Sequence, residues 1–84
     1  MQHRRILIID DDPKFREFAT DTLKIAGFDT LSAHDGLSGI EMARATQPAV
    51  ILLDMVMPGM DGITTCQRLK QDPALRHIPV VGVT

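Results

Sequence analysis

Val50-Ile51-Leu52-Leu53-Asp54-Met55-Val56-Met57-Pro58-Gly59-Met60-Asp61-Gly62 is the stretch on which the reading of this chain turns. Val50 to Leu53 is an unbroken apolar run, the pattern of a strand buried on both faces of a sheet. An acid, Asp54, ends it. Residues 55–62 then form a loop whose shape Pro58 and Gly59 set. Asp61 supplies an N-cap for a helix that carries Ile63, Cys66 and Leu69 on one face, and Asp72-Pro73 closes that helix.

The same grammar extends in both directions. Ile6 to Ile9 is a second continuous run of β-branched residues and leucine, ended by Asp10-Asp11-Asp12. Asp12 suits a helix cap and Pro13 the first helical position. Phe15, Phe18, Ala19, Leu23 and Ala26 follow at helical spacing, and Gly27 ends the helix as a left-handed cap. Thr30 to Ala33 reads as a short strand and Asp35-Gly36 as a turn. Leu37, Ile40 and Ala43 begin a second amphipathic helix, which Pro48 stops. Pro79 leads into a fourth strand, Val80 to Val83, with Thr84 at its end. Strands alternating with helices in this way imply an α/β fold: a parallel sheet with right-handed crossovers and helices on both faces. No internal repeat, linker or low-complexity segment interrupts the pattern.

Composition narrows the function. With 84 residues there is room for one domain, and one of thin stability margin. Apolar residues make up 44% and charged residues 24%, an ordinary globular balance that argues against disorder. The net charge of -2 is spread along the chain, and Arg4-Arg5 is the only basic pair, so no clustered basic face for nucleic acid is expected. The single cysteine, Cys66, allows no internal disulfide and lies on an apolar helix stripe, as a core residue would. His3, His34 and His77 are scattered without ligand spacing and are expected at the surface. Met55, Met57 and Met60 read as packing residues. The longest apolar run is too short for a signal-peptide core or a membrane span, so a cytoplasmic chain is expected.

Chemistry gathers at one place. In an open parallel sheet, ligands collect at the carboxyl ends of the strands. Here those ends carry Asp10-Asp11-Asp12, Asp54 and Thr84. If the first and third strands are neighbours, Asp10 or Asp11 lies close to Asp54. Carboxylates packed together resist ionisation, and a divalent cation removes that conflict. An all-oxygen set of carboxylates, a backbone carbonyl and water suits Mg²⁺. With the metal bound, one carboxylate becomes a nucleophile toward phosphorus. Taken singly, each acid has a plainer reading: Asp12 and Asp61 as caps, Asp10 and Asp11 as turn residues, Asp54 as a strand-terminating acid.

Taken together, the segments resemble one family. Ile6-Leu7-Ile8-Ile9-Asp10-Asp11-Asp12-Pro13 is similar to the opening strand and acidic pair of response-regulator receivers, and residues 52–62 resemble their phosphorylation-site segment almost residue for residue. The acid, the Met-Pro and the Asp-Gly all fall at matching spacings. The resemblance implies a doubly wound, flavodoxin-like sheet with strand order 2-1-3-4. It implies that Asp54 is the phosphoacceptor, that Asp11 binds Mg²⁺ directly and Asp10 mainly through water, and that the Val56 carbonyl is a further metal ligand. It makes Thr84 the switch hydroxyl that hydrogen-bonds the phosphoryl group. The implied donor is a phosphohistidine on a sensor histidine kinase or phosphotransfer protein, with no direct nucleic-acid or membrane partner.

The resemblance also implies that residues 1–84 are the N-terminal part of such a domain, without its fourth helix, fifth strand and fifth helix. The family's fifth strand brings a lysine and an aromatic, and Lys14, Lys24 and Lys70 all fall on expected helices instead. An uncovered sheet face and an open fourth strand would then favour self-association. Two functions therefore compete: a phosphorylation-controlled switch centred on Asp54, which is not an enzyme, and a phosphorylation-independent interaction or dimerisation fragment derived from a receiver. An aspartate-nucleophile phosphatase is disfavoured because Val56 stands where its second acid belongs. A nucleotide site is disfavoured because no glycine-rich loop follows the first strand.

Overall fold

The computed structural model describes residues 4–57 and 59–83. Its elements are β1 (Arg5–Ile9), α1 (Pro13–Ile25), β2 (Asp29–Ala33), α2 (Gly36–Thr46), β3 (Val50–Asp54), α3 (Gly62–Gln71) and β4 (Val80–Val83). These follow the expected order and differ from the expected bounds by a residue or so. The four strands form one parallel sheet in the order β2-β1-β3-β4.

The caps form as their residue types dictate. Asp12 begins α1 by accepting the Lys14 N–H at 2.9 Å, with Pro13 in the first turn. At the other end of α1, Gly27 adopts φ 95°, and Gly27 and Phe28 donate to the carbonyls of Lys24 and Leu23. That pair of bonds closes the helix through a residue that a side chain would strain. Asp35 and Asp61 cap α2 and α3 by accepting the N–H groups of Ser38 and Thr64, each at 2.8 Å.

The core lies mainly between the sheet and the α2–α3 side. Leu7, Ile9, Ile51 and Leu53 pack there with Ile40, Ala43 and Leu69. Leu75 and Ile78, from the connection between α3 and β4, complete it. Cys66, Met55 and Met60 pack against this core and Met57 is buried in it, as expected of packing residues. On the opposite face, Ile6, Ile8 and Ala19 are buried beneath α1. Farther along that face, Leu52 is half-buried and Val81 is 49% exposed. β1 is thus covered on both faces, whereas β3 alternates and β4 is largely open.

Three large side chains expected in the core point outward instead. Phe18 is 66% exposed, Leu37 58% and Ile63 59%. In α2 the buried positions are Gly36, Gly39, Ile40 and Ala43; Gly39 lies against Ile9 and Gly36 against Thr65 and Met60, and Leu37 falls on the outer flank. In α3 the inward turn is Gly62, Thr65 and Leu69. Thr65 is buried because its hydroxyl donates to the Asp61 carbonyl at 2.8 Å, so it carries no unmet polar group into the core. In α1, Ala19 is the buried position and Ala26, expected on the apolar stripe, is an exposed cap residue. His34 and His77 are exposed, as expected, while the expectation for His3 lies outside the described residues.

Candidate functional site

Strand pairing brings the acids together. Ile9 is the partner of Leu53 across β1 and β3, so Asp10 and Asp54 each stand one residue further along adjacent strands. One carboxylate oxygen from each of Asp10, Asp11 and Asp54 lies within 4.8 Å of the others. Asp10 is buried, Asp54 half-buried and Asp11 exposed. The group is therefore graded from the sheet outward, with an all-oxygen donor set open to solvent on one side.

Backbone bonds fix two of these carboxylates. The Asp54 carboxylate accepts the Val56 N–H at 2.9 Å, and that of Asp10 accepts the Asp12 N–H at 2.8 Å. Both are local turns in which a side chain takes the N–H two residues on. Asp10 is held at two further points. Its N–H donates to the Ala33 carbonyl of β2 at 3.1 Å, and its own carbonyl accepts from the Arg16 guanidinium at 2.6 Å. On the other side, the Met55 N–H donates to the Val83 carbonyl at 2.9 Å, tying the residue after Asp54 to β4.

Gly62 sets how closely the loop returns. A Cβ at this position would lie 2.3 Å from the Met55 Cα and 2.4 Å from the Asp54 carbonyl oxygen. Only a residue without a side chain lets α3 start against the backbone of Asp54. The Asp-Gly spacing in the sequence thus has a steric cause.

The electrostatics are unfavourable to full ionisation. Burial raises the pKa of Asp10, with the charges of Asp54, Asp11 and Asp12 adding to the rise; the Asp12 N–H opposes it. Asp61 is held below the usual carboxylate value, chiefly by the Thr64 N–H, in keeping with its role as a cap. A divalent cation suits the first situation and is not needed in the second.

The expected site residues thus fare differently. Asp10, Asp11 and Asp54 meet. Val56, 75% exposed, donates its N–H to the Asp54 carboxylate. The expectations for Thr84 and Pro58 lie outside the described residues. Arg16 was not legible as part of the site: an arginine in the first turns of a helix usually reads as solvated, and only the folded β1–α1 turn brings it to Asp10.

A family model described as the response regulator receiver domain matches residues 6–84. The DNA-binding dual master transcriptional regulator RpaA of Synechocystis is 45% identical over 80 residues, which cover 95% of this chain and 33% of that protein. The response regulator PleD of Caulobacter vibrioides is 44% identical over 80 residues, 95% of this chain and 18% of that protein. Among solved structures, the N-terminal domain of a response regulator receiver protein from Methanoculleus marisnigri superposes with TM-score 0.94 at 39% identity, covering 95% of this chain and 65% of that one. The chain spans a third or less of the length of these curated relatives.

Proposed function

We propose, from the premise that this chain belongs to the response regulator receiver domain family, that it accepts a phosphoryl group on Asp54. The observation that carries this reading is the meeting of Asp10, Asp11 and Asp54 at the carboxyl edge of the sheet. The donor is a phosphohistidine of a sensor histidine kinase or phosphotransfer protein. A carboxylate oxygen of Asp54 forms the new bond to phosphorus as the P–N bond breaks. The imidazole leaves with the electron pair, and the product is an aspartyl phosphate. The chain is in this reading a stoichiometric acceptor and switch rather than an enzyme with a separate substrate.

The donor set fits Mg²⁺: hard oxygens, two of them on carboxylates whose orientation is already fixed, and mutual repulsion for a cation to relieve. Asp11, Asp54 and the Val56 carbonyl would hold the ion, and Asp10 would do so through water. Bound there, Mg²⁺ supplies neutralisation of charge on the transferring phosphoryl group. Asp10 keeps the edge anionic, and its three backbone-linked bonds hold it in place without a ligand. Asp54 presents one oxygen while the other is engaged by the Val56 N–H. Thr84 is the switch hydroxyl in this reading. A cytoplasmic location goes with it; among the described residues no helix is long and apolar enough to cross a membrane.

The test is direct. The chain is incubated with acetyl phosphate, with and without Mg²⁺, and its intact mass is recorded beside Asp54→Asn. A gain of one phosphoryl group that needs both Mg²⁺ and Asp54 is expected. No gain in a chain shown to be folded would overturn the reading.

A further inference from the structure

We infer that Arg16 is a positioning residue for the metal-binding edge: it sets the affinity of the acidic cluster for a divalent cation by pinning the main chain of Asp10. The inference rests on the reading of that edge as a Mg²⁺ site.

The geometry begins with the helix. Asp12 caps α1 and Pro13 opens it, which places Arg16 where its N–H makes the first helical bond, to the Asp12 carbonyl at 3.0 Å. Long side chains on a helix run back toward its N-terminus. Arg16 follows this rule, and its guanidinium reaches back over the turn to donate to the Asp10 carbonyl at 2.6 Å. The first turn of α1 holds no acidic side chain, and the bond that the guanidinium makes is to the Asp10 carbonyl.

The bond falls on the residue whose placement matters most. Asp10 is the buried member of the cluster. Its N–H is anchored to β2 and its carboxylate to the Asp12 N–H. The Arg16 bond fixes the peptide between Asp10 and Asp11, and therefore the direction in which Asp11 leaves the strand. Two of the three carboxylates thus depend on one guanidinium that touches neither of their carboxyl groups.

Charge and geometry make opposite predictions here. A guanidinium held at this edge repels a dication, so on charge alone its removal should tighten metal binding. If Arg16 acts by position, removal weakens binding, because the ligands must be ordered when the metal arrives. Residues that orient metal ligands from behind typically change affinity by about 10–100-fold. A backbone pin belongs at the lower end, about tenfold.

The experiment measures Mn²⁺ binding by electron paramagnetic resonance on the chain without phosphodonor. Parent, Arg16→Met, Arg16→Lys and Asp54→Asn are compared, with thermal unfolding of each metal-free chain alongside. Arg16→Met keeps the length and apolar stem and loses the donors. Arg16→Lys keeps one donor of similar reach. The expected result is a loss of affinity of about tenfold in Arg16→Met, with most of it restored in Arg16→Lys. Unchanged or tighter Mn²⁺ binding in Arg16→Met, with weakened binding in Asp54→Asn, overturns the inference and leaves the metal reading standing. Binding by Arg16→Lys as weak as that of Arg16→Met also overturns it, and so does an Arg16→Lys chain that folds but binds poorly where Arg16→Met does not fold. A parent chain with no Mn²⁺ affinity overturns both.

Discussion

Asp35, Asp61 and Asp72 sit at helix ends with donors aimed at them, whereas Asp10 sits at the sheet edge among other acids. All are the same residue, and the fold moves them in opposite directions. Asp35 lies below the usual carboxylate value because the Ser38 hydroxyl and N–H both donate to it. Asp61 does so chiefly through the Thr64 N–H, and Asp72 chiefly through the Arg44 guanidinium at 2.6 Å. Asp10 is raised, first by burial and then by its acidic neighbours. A carboxylate that serves the fold is given partners within the chain. Asp10, in the proposed reading, is left in a conflict that a bound cation would relieve.

The largest effects should separate these two groups cleanly. Asp54→Asn should abolish phosphoryl uptake, while Asp61→Asn, which keeps a capping side chain, should retain it. Loss of uptake in both, measured by intact mass, would mean that edge and caps are not functionally distinct.

Gly62→Ala tests the point where cap and edge touch. The new methyl would collide with the backbone of Asp54 and Met55. Overpacking of this kind costs about 1–3 kcal/mol, and rigid backbone on the other side puts this position at the upper end. Urea unfolding should show the loss, with phosphoryl uptake falling in parallel. A substitution without effect on either would show that the approach of α3 to β3 is not fixed as described.

Asp10→Asn should move stability and binding in opposite directions. A carboxyl whose folded pKa lies above its unfolded value opposes folding when ionised. The penalty is present at neutral pH and fades as pH falls through the raised folded pKa. Removing the charge should therefore raise the metal-free melting temperature modestly at pH 7 and weaken Mn²⁺ binding. A variant that is both less stable and unimpaired in binding would break the comparison.

The smallest effect is expected at the caps. Asp72 is held below 3.8, so its contribution is fully present above that value and is lost as pH falls through the lower folded pKa. Asp72→Asn should melt slightly earlier than the parent at pH 7, and the gap should close in strong acid. Because the pair with Arg44 is partly exposed, added salt should shrink it as well.

Much of this was legible in the residues. Two apolar runs ended by acids gave adjacent strands, and Asp12 and Asp61 ahead of helical patterns gave caps, whereas Asp35, read as a turn residue, proved to be a cap as well. The chemistry of the edge followed once Ile9 and Leu53 were neighbours. What the pattern hid were contacts in which small or polar residues take the inner place. Gly39 takes the inner place against Ile9 and Gly36 that against Thr65 and Met60 while Leu37 lies outside, and Thr65 is inward because its hydroxyl is satisfied by its own helix. Hydrophobic periodicity weighs glycine and threonine lightly, so it put Leu37 and Ile63 inside as well, although Ile40, Ala43, Cys66 and Leu69 do face the core as expected. Arg16 was hidden for another reason. Its partner is a backbone carbonyl, which every residue has and no motif records.

The most direct test of the central claim locates the phosphoryl group itself. After treatment with acetyl phosphate and Mg²⁺, borohydride reduces an acyl phosphate to an alcohol, leaving homoserine where the aspartyl phosphate stood. Peptide sequencing by mass spectrometry then reads the position. Homoserine at position 54, with position 10, position 11 and the caps unchanged, is the predicted result. Homoserine elsewhere, or none in a folded chain that has gained phosphoryl mass, would contradict the assignment of Asp54 as the acceptor.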